Sequence, residues 1–160
     1  LNPQLKEILR YAYKKNVLLT ADNGANLNRA REDVLEALVR YKFRRLSCSI
    51  DGASQKTYSI YRVKGNFDNV IANIRTLNAF KKKYNSPYPL LQWQYVAFGH
   101  NEHEIGNARA MAEELGMKFY LKLNWDGLYT TAFSPVKDQD LIRRETGLGV
   151  ADRKEYEEKF

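Results

Sequence analysis

The sequence predicts an α/β fold in which a parallel sheet alternates with helices, as part of a TIM-like (β/α) barrel. Helical and strand patterns alternate from residue 3 to residue 123, which is typical of a parallel sheet with crossover helices. Residues 45–52, RLSCSIDG, alternate strictly, so that Leu46, Cys48 and Ile50 share one face and small polar groups share the other. The 160 residues are too few for a complete eight-stranded barrel, which typically needs about 250.

The polar face of residues 45–52 has two interpretations. Strands of a parallel sheet are normally covered on both faces and are apolar throughout, so a polar face indicates a ligand or a water-filled space. Asp51 would then lie at the carboxyl end of its strand, where α/β folds place their chemistry. An edge strand with one solvated face would give the same pattern.

Local signals predict each element in chain order. Helices are predicted where apolar residues recur at helical spacing, and strands where such residues run or alternate between turn residues. Asp22, Asn23 and Gly24 would end the first strand, and Asn101 with Glu104 would form a capping box. The predicted helices cover residues 3–15, 31–41, 54–62, 66 to the break at 85, and 101 to 116, and the predicted strands cover residues 17–20, 45–51, 90–98 and 118–123.

The alternation is lost in the last part of the sequence. Residues 1–124 are predicted to be the central part of the barrel, and residues 125–151 a long irregular segment that is functional or partly disordered. Asp152 and Glu155 can cap a short terminal helix. Residues 125–160 would lead to a further C-terminal domain. Because the sequence starts at Leu1 without Met, we expect a piece of a longer protein.

Composition and charge exclude several classes of protein. No apolar run approaches the length of a membrane span and the start lacks a signal-peptide pattern, so we expect a cytoplasmic protein without a membrane partner. Cys48 is the only cysteine, which excludes an internal disulfide and a thiolate cluster held by this chain alone. The net charge is +7, but the run from Lys81 to Lys83 falls at a helix end, where cations complement the helix dipole. We therefore expect no nucleic-acid partner.

Polar residues at the ends of successive predicted strands form the candidate site. In a barrel these ends converge on one cavity, where amides, hydroxyls and a carboxylate would suit a polar small molecule. Asp22 and Asn124 would serve equally well as turn or cap residues. His100 and His103 favour helix capping over metal binding, because no third ligand is evident. The set is Thr20, Asp22, Asn23, Ser49, Asp51, Gln92, Gln94, Lys122 and Asn124.

Four motifs follow one another along the chain: LNPQLKEIL at residues 1–9, DNG at 22–24, SCSIDG at 47–52 and NFDNVIANI at 66–74. In order and spacing they resemble the radical S-adenosylmethionine (radical SAM) enzymes, in particular the branch with a C-terminal SPASM-type domain that carries extra iron–sulfur cysteines. The likeness runs from Leu1 to about Leu123, and the strand with Gln92 and Gln94, followed by NEHEI, is also similar.

The resemblance implies a partial barrel that binds S-adenosylmethionine across its strand ends. A [4Fe–4S] cluster in the full-length enzyme would cleave it to a 5′-deoxyadenosyl radical, which abstracts hydrogen from a small-molecule or peptide substrate. Ser49 would contact the methionine or ribose portion beside Asp51, and Asn23 would face the same cavity. Arg62 would pair with the methionine carboxylate, and Gln94 would line the interior.

The metal-bearing segments of that family have no counterpart in this sequence. The Cys-x3-Cys-x2-Cys cluster loop would lie before Leu1 and the C-terminal cysteines beyond Phe160, so the fragment alone is expected to be inactive. Asp22 also stands where relatives usually show Thr or Asn. No metal ligand and no catalytic residue is assigned, and exposed sheet edges favour oligomerisation. The alternative is a metal-free α/β-barrel enzyme or a small-ligand-binding module.

Overall fold

The computed structural model describes residues 2–124 and 133–160. Helices and strands alternate in the first of these ranges, and two further helices lie in the second. None of the helices in these two ranges has the length and apolarity needed to cross a membrane. The elements are α1 (Leu5–Lys14), β1 (Thr20–Ala25), α2 (Glu32–Arg40), β2 (Arg45–Ser49), α3 (Gln55–Tyr61), α4 (Phe67–Lys83), β3 (Leu90–Val96), a 3-10 turn (Glu102–Glu104), α5 (Ile105–Glu114), β4 (Lys118–Lys122), α6 (Gln139–Thr146) and α7 (Arg153–Lys159).

The strands of the described residues form one parallel sheet in the order β1-β2-β3-β4, which is also their order along the chain. Ser49 of β2 lies opposite Gln94 of β3, and Gln94 lies opposite Tyr120 of β4. Each strand therefore pairs only with strands that precede or follow it in sequence. The predicted α/β class, with a parallel sheet and alternating helices, is confirmed.

The two faces of the sheet differ in character. Cys48 of β2 and Trp93 and Tyr95 of β3 are completely buried in the hydrophobic core, together with residues of the helices. The alternate positions carry polar side chains, and Ser47 and Ser49 lie opposite Gln92 and Gln94. The strand pattern of residues 45–51 thus corresponds to an apolar face in the core and a polar face away from it.

Helices α2 and α4 supply much of the core on the apolar face. They pack against each other, and Val39 of α2 and Ile74 and Leu77 of α4 are at most 1% exposed. Burying one such aliphatic side chain stabilises a fold by about 1.5–3 kcal/mol. Packing on the apolar face therefore stabilises the sheet. The side chains of the polar face are free to make hydrogen bonds.

The first strand lies later in the sequence than predicted. Val17 and Leu18, predicted as its start, are 53% and 72% exposed, and pairing with β2 begins at Thr20. The register then shifts between Ala21 and Ala25, so residues 22–24 form a bulge inside the strand instead of the turn that was predicted to end it. The strand was placed too early because the apolar residues 17–19 precede residues 22–24, which resemble a turn. A bulge contains the same residue types as a turn, so the sequence does not distinguish the two.

Two further predictions about helix ends have different outcomes. The capping box at Asn101 is wrong, because the buried Asn101 amide accepts from Phe98 N and donates to Val96 O. At the last helix the prediction is confirmed, since Asp152 accepts from Glu155 N and the Glu155 carboxylate accepts from Ala151 N.

The segment predicted to be irregular contains a helix. Residues 125–132 lie outside the described part of the chain, but α6 occupies 139–146 and contacts β4. Asp138 caps α6 by accepting from Leu141 N, and Gly147 ends it with φ +68°. Ile142 is completely buried, which an amphipathic pattern of only two turns did not reveal.

Candidate functional site

Gly24, Ser49 and Gln94 come together on the polar face of the sheet, near the carboxyl ends of the first three strands. Ser49 and Gln94 are direct neighbours across β2 and β3. Gly24 approaches both, since a Cβ at this position would lie 1.9 Å from Ser49 Oγ and 3.5 Å from Gln94 Nε2. The backbone of β1 can approach the other two strands this closely only because residue 24 has no side chain and adopts φ +95°. These three residues are called the strand-end trio below.

The trio offers a hydroxyl, a carboxamide and the backbone of a glycine at a bulge. Ser49 is half-buried and Gln94 is 6% exposed, so both can bind a ligand partly shielded from water. Asn23 lies in the same bulge and is exposed. A neutral set of donors and acceptors suits hydroxyl and amide groups of a ligand, and carries no charge that would select an ion.

Asp51 and Arg62 form a buried ion pair beside the trio. Nε and Nη2 of Arg62 both lie 2.6 Å from Oδ2 of Asp51, and Oδ1 accepts from Val96 N at 2.7 Å. Burial raises the pKa of Asp51, while the charge of Arg62 and the bond from Val96 oppose that rise. The Asp51 side chain has no exposed surface, so its described contacts are with the protein.

Arg62 reaches solvent on its other side. Its side chain is 29% exposed, and the guanidinium lies over the Tyr61 ring at 5.0 Å from the ring centroid. With Nε and Nη2 held by Asp51, the Nη1 edge of the fork keeps two donors that an anion can use. Asp51 is thereby a positioning group for Arg62.

Three other predicted site residues lie elsewhere. Asp22 accepts from Arg45 Nε at 2.5 Å and from Thr20 Oγ1 at 2.9 Å. Hydrogen bonds from Arg45 and then Thr20 lower the pKa of Asp22 to about 2. Because Arg45 begins β2, this exposed pair lies at the opposite end of the strand from Ser49. Gln92 lies two residues before Gln94 on β3, on the same face of the sheet and opposite the buried Ser47.

The histidines do not form a metal centre with neighbouring residues in the described ranges. No group of three or more His, Cys, Asp or Glu side chains that could hold a metal ion occurs within residues 2–124 and 133–160. His100 instead stacks on Phe98 with ring centroids 5.3 Å apart, and its edge meets Phe133. Burial, followed by the nearby His103, lowers the pKa of His100.

Sequence reasoning missed two residues that shape the site. Asn101 connects the ends of β2 and β3, because its amide donates to Asp51 O and Val96 O. Gly24 was assigned to a turn, although the DNG signal does indicate a backbone that only glycine adopts readily. An asparagine shortly after a strand is a usable signal in the sequence, whereas its burial and its hydrogen-bond partners become evident only in the fold.

No protein-family model matches the chain, and no curated protein matches it significantly.

Proposed function

We propose that this chain is the central part of a radical SAM enzyme barrel that binds S-adenosylmethionine at the carboxyl ends of β1, β2 and β3. The observation that carries the proposal is the convergence of Gly24, Ser49 and Gln94 at one point of the polar sheet face. In the full-length enzyme a [4Fe–4S] cluster would supply the electron that generates a 5′-deoxyadenosyl radical for modification of a small-molecule or peptide substrate.

The order of the strands supports the barrel part of the proposal. Strands that follow one another in both space and sequence, with the helical core on one face, are the arrangement of a β/α barrel, whereas doubly wound sheets reverse their order. In a partial TIM-like barrel the polar face with Ser47, Ser49, Gln92 and Gln94 would line the interior.

The resemblance implies a binding role for each site residue, and the geometry of the site supports these roles. Ser49 and Gln94 would bind hydroxyl or amino groups of the nucleoside or methionine portion. Asn23 would add a carboxamide from the bulge of β1. Arg62, held by Asp51 at 2.6 Å, would offer its remaining donors to the methionine carboxylate. Asp51 itself would act by holding Arg62 in position.

The residues of this chain do not fit a [4Fe–4S] cluster. Such clusters are held by several thiolates, and Cys48 is the sole cysteine. It is completely buried in the helix-covered face, and burial raises its pKa to about 12. The proposal therefore requires cluster ligands from outside these 160 residues.

A metal-free α/β-barrel enzyme or small-ligand-binding module is the second candidate. The same neutral trio would suit the hydroxyl and amide groups of a different polar small molecule. The two are separated by whether S-adenosylmethionine itself binds at the trio.

The test is titration calorimetry of the chain with S-adenosylmethionine. Replacing Gln94 by Leu should weaken binding about tenfold, because removing a buried hydrogen-bonding partner costs about 1–3 kcal/mol. The matched control is Gln92→Leu, which makes the same change on the same face two residues away and should alter affinity less than about twofold. Thermal unfolding of each variant verifies that it is folded.

Binding of S-adenosylmethionine that Gln94→Leu weakens and Gln92→Leu does not would support the proposal. Absence of binding by the folded chain, or equal losses in both variants, would contradict it. Binding of other nucleosides without S-adenosylmethionine would favour the metal-free alternative.

A further inference from the structure

A wide cationic groove lies beside Arg62, outside the strand-end trio. It has a volume of about 900 Å³ and runs between the loop after β1 and the loop that joins α3 to α4. Four cationic side chains line it, Arg29 and Arg31 from the first loop and Arg62 and Lys64 from the second. None of the described residues that line it is acidic. The name cationic groove is used below for this space.

The two walls of the cationic groove are fastened together by one asparagine. Asn28 on the first wall donates from Nδ2 to Tyr58 Oη at 3.1 Å. Its Oδ1 accepts from Asn66 N on the second wall at 2.9 Å. Both ends of one carboxamide are thus used across the groove, so its width is fixed before any ligand arrives.

The second wall is tied down by both ends of the Gln55 carboxamide. Gln55 Nε2 donates to Gly65 O at 3.0 Å and Gln55 Oε1 accepts from Phe67 N at 2.7 Å. Lys64 adopts the left-handed φ of +62°. A Cβ at Gly65 would meet the Tyr58 ring at 2.6 Å, so this loop packs as closely as its backbone allows. Arg62 is anchored by Asp51, and the packed backbone of the loop places Lys64 on the groove wall.

The charges in the cationic groove are only partly neutralised by the protein. Arg31 pairs with Asp33 and Arg62 with Asp51, whereas Arg29 and Lys64 have no ion-pair partner in the described ranges. Arg31 is the N-cap of α2, and Glu32 and Asp33 in the first turn of α2 offset the helix dipole there. Four converging cations without a lining acid attract an anion with several charges.

We propose that the cationic groove binds a small molecule that carries two or more adjacent phosphate groups. Three of the four cations are arginines, whose planar fork matches the oxygens of phosphate. A volume of about 900 Å³ falls in the range of small-molecule sites, about 300–1,000 Å³. The rings of Tyr58 and Tyr61 also line the groove and offer surface for an organic portion.

This ligand is distinct from S-adenosylmethionine, and the inference does not depend on the proposed function. S-Adenosylmethionine carries a sulfonium and an ammonium group against a single carboxylate, so four cations repel most of its charge. The neutral nucleoside portion of S-adenosylmethionine has no charge that the four cationic side chains could attract. The cationic groove therefore selects an anion by its charge, whereas the neutral strand-end trio would select its ligand by hydrogen bonding.

The experiment is titration calorimetry of the chain with inorganic tripolyphosphate, without magnesium and at low ionic strength. Replacing both Arg29 and Lys64 by Gln should weaken binding about tenfold or more, because it removes two of the four positive charges that line the groove. The matched control replaces Arg75 and Lys82, exposed on α4, by Gln, and should change affinity less than about threefold. Nuclear magnetic resonance of the unaltered chain should show tripolyphosphate shifting residues 26–31 and 61–66.

Selective weakening by the groove variant, or resonance shifts confined to the two loops if that variant fails to fold, supports the inference. No binding, equal weakening by both variants, or shifts spread over the whole surface would overturn it. Citrate binding as tightly as tripolyphosphate would contradict the assignment to phosphate. An oligonucleotide binding more tightly than tripolyphosphate would show a nucleic-acid surface instead.

Discussion

Glu104 is a single carboxylate that fastens two elements which lie far apart in sequence. It belongs to the turn before α5, yet it accepts from Ala53 N at 2.7 Å, Ser54 Oγ at 2.7 Å and Thr57 Oγ1 at 3.0 Å at the start of α3. Burial raises its pKa, but these three hydrogen bonds outweigh burial and leave the pKa of Glu104 below its ordinary value. The folded state therefore favours the ionised form.

Glu104→Gln should lower the free energy of unfolding by about 2 kcal/mol at pH 7, since hydrogen bonds to a charged group are worth about 1.5–3 kcal/mol. A lowered folded pKa means that this stability is present above the unfolded pKa of about 4.3 and is lost as the pH falls through the folded pKa. Urea unfolding at pH 7, 5 and 3 should show the difference from the unaltered protein shrinking with acidity.

The matched control is Glu113→Gln, which removes the same charge at an exposed position of α5. It should change stability by less than about 0.5 kcal/mol at each pH. A Glu104→Gln difference that stays constant from pH 7 to pH 3 would argue that lost shape, and not lost charge, is responsible.

At the scale of elements, the bulge of β1 determines whether the strand-end trio exists. It shifts the register by placing residues 22–24 between Ala21 and Ala25, and it brings the backbone of Gly24 against Ser49. In a regular strand, a residue with a side chain would face Ser49 at this position. That side chain would keep β1 away from the Ser49 hydroxyl. The bulge is therefore part of the site as well as of the sheet.

Gly24→Ala should destabilise the fold by about 2–3 kcal/mol, because a left-handed residue with a Cβ is strained and the new methyl group would overlap Ser49 Oγ. Adding Ser49→Ala removes the overlapping hydroxyl and should restore about 1 kcal/mol, while the backbone strain stays. Thermal or urea unfolding of the single and double variants measures both effects.

The control for this pair is Gly106→Ala on α5, where a Cβ would meet nothing within 4 Å. There the change should raise the free energy of unfolding by about 0.5–1 kcal/mol, because alanine stabilises a helix more than glycine does. Equal effects at positions 24 and 106 would show that close approach to Ser49 is unimportant.

The elements were predictable from the sequence where their signals are local. The spacing of Val70, Ile71, Ile74 and Leu77 predicts α4, and the alternation at residues 45–51 predicts both faces of β2. The bulge was misassigned because its residues are those of a turn. Glu104 was assigned to its own helix because a capping box is a local pattern, whereas its partners in α3 lie about 50 residues away in the chain.

In the candidate site, too, local features were predictable from the sequence, whereas contacts between distant residues were not. Sequence reasoning selected Ser49, Asp51, Arg62 and Gln94, and the structure brings Ser49 next to Gln94 and Asp51 next to Arg62. The sequence does not indicate that Asp51 and Arg62 bind each other, because a contact between a strand end and a loop depends on how the loop is folded. The cationic groove was not predicted, since its four cations come from two separate loops.

At the scale of the whole molecule, the C-terminal part belongs to the same core as the sheet. Ile142 of α6 is completely buried, and Val150 and Ala151 are 2% and 3% exposed in the same cluster as the strand residues. Arg109 of α5 also pairs with Glu145 of α6 at 2.6 Å. Residues 139–151 therefore add to the stability of the main fold.

Ile142→Ala should lower the free energy of unfolding by about 2–4 kcal/mol, because it removes buried methyl groups and leaves a cavity. Leu148→Ala is the control, since Leu148 is 41% exposed and its truncation should cost less than about 1 kcal/mol. Because the chain has a second tryptophan, Trp125, both variants are made in a Trp125→Phe background. The fluorescence of the buried Trp93 during urea unfolding then reports the main fold. An unchanged midpoint for Ile142→Ala would show that α6 unfolds separately.

The agreement between strand order and chain order has a consequence for synthesis on the ribosome. Because each strand pairs with the strand made just before it, a nascent chain can add each new strand and helix to a sheet that already exists. Pairing of β2 with β1 needs no residue after Ser49. Short sequence separations also lower the entropic cost of each pairing. The polypeptide can therefore fold in the direction in which it is translated.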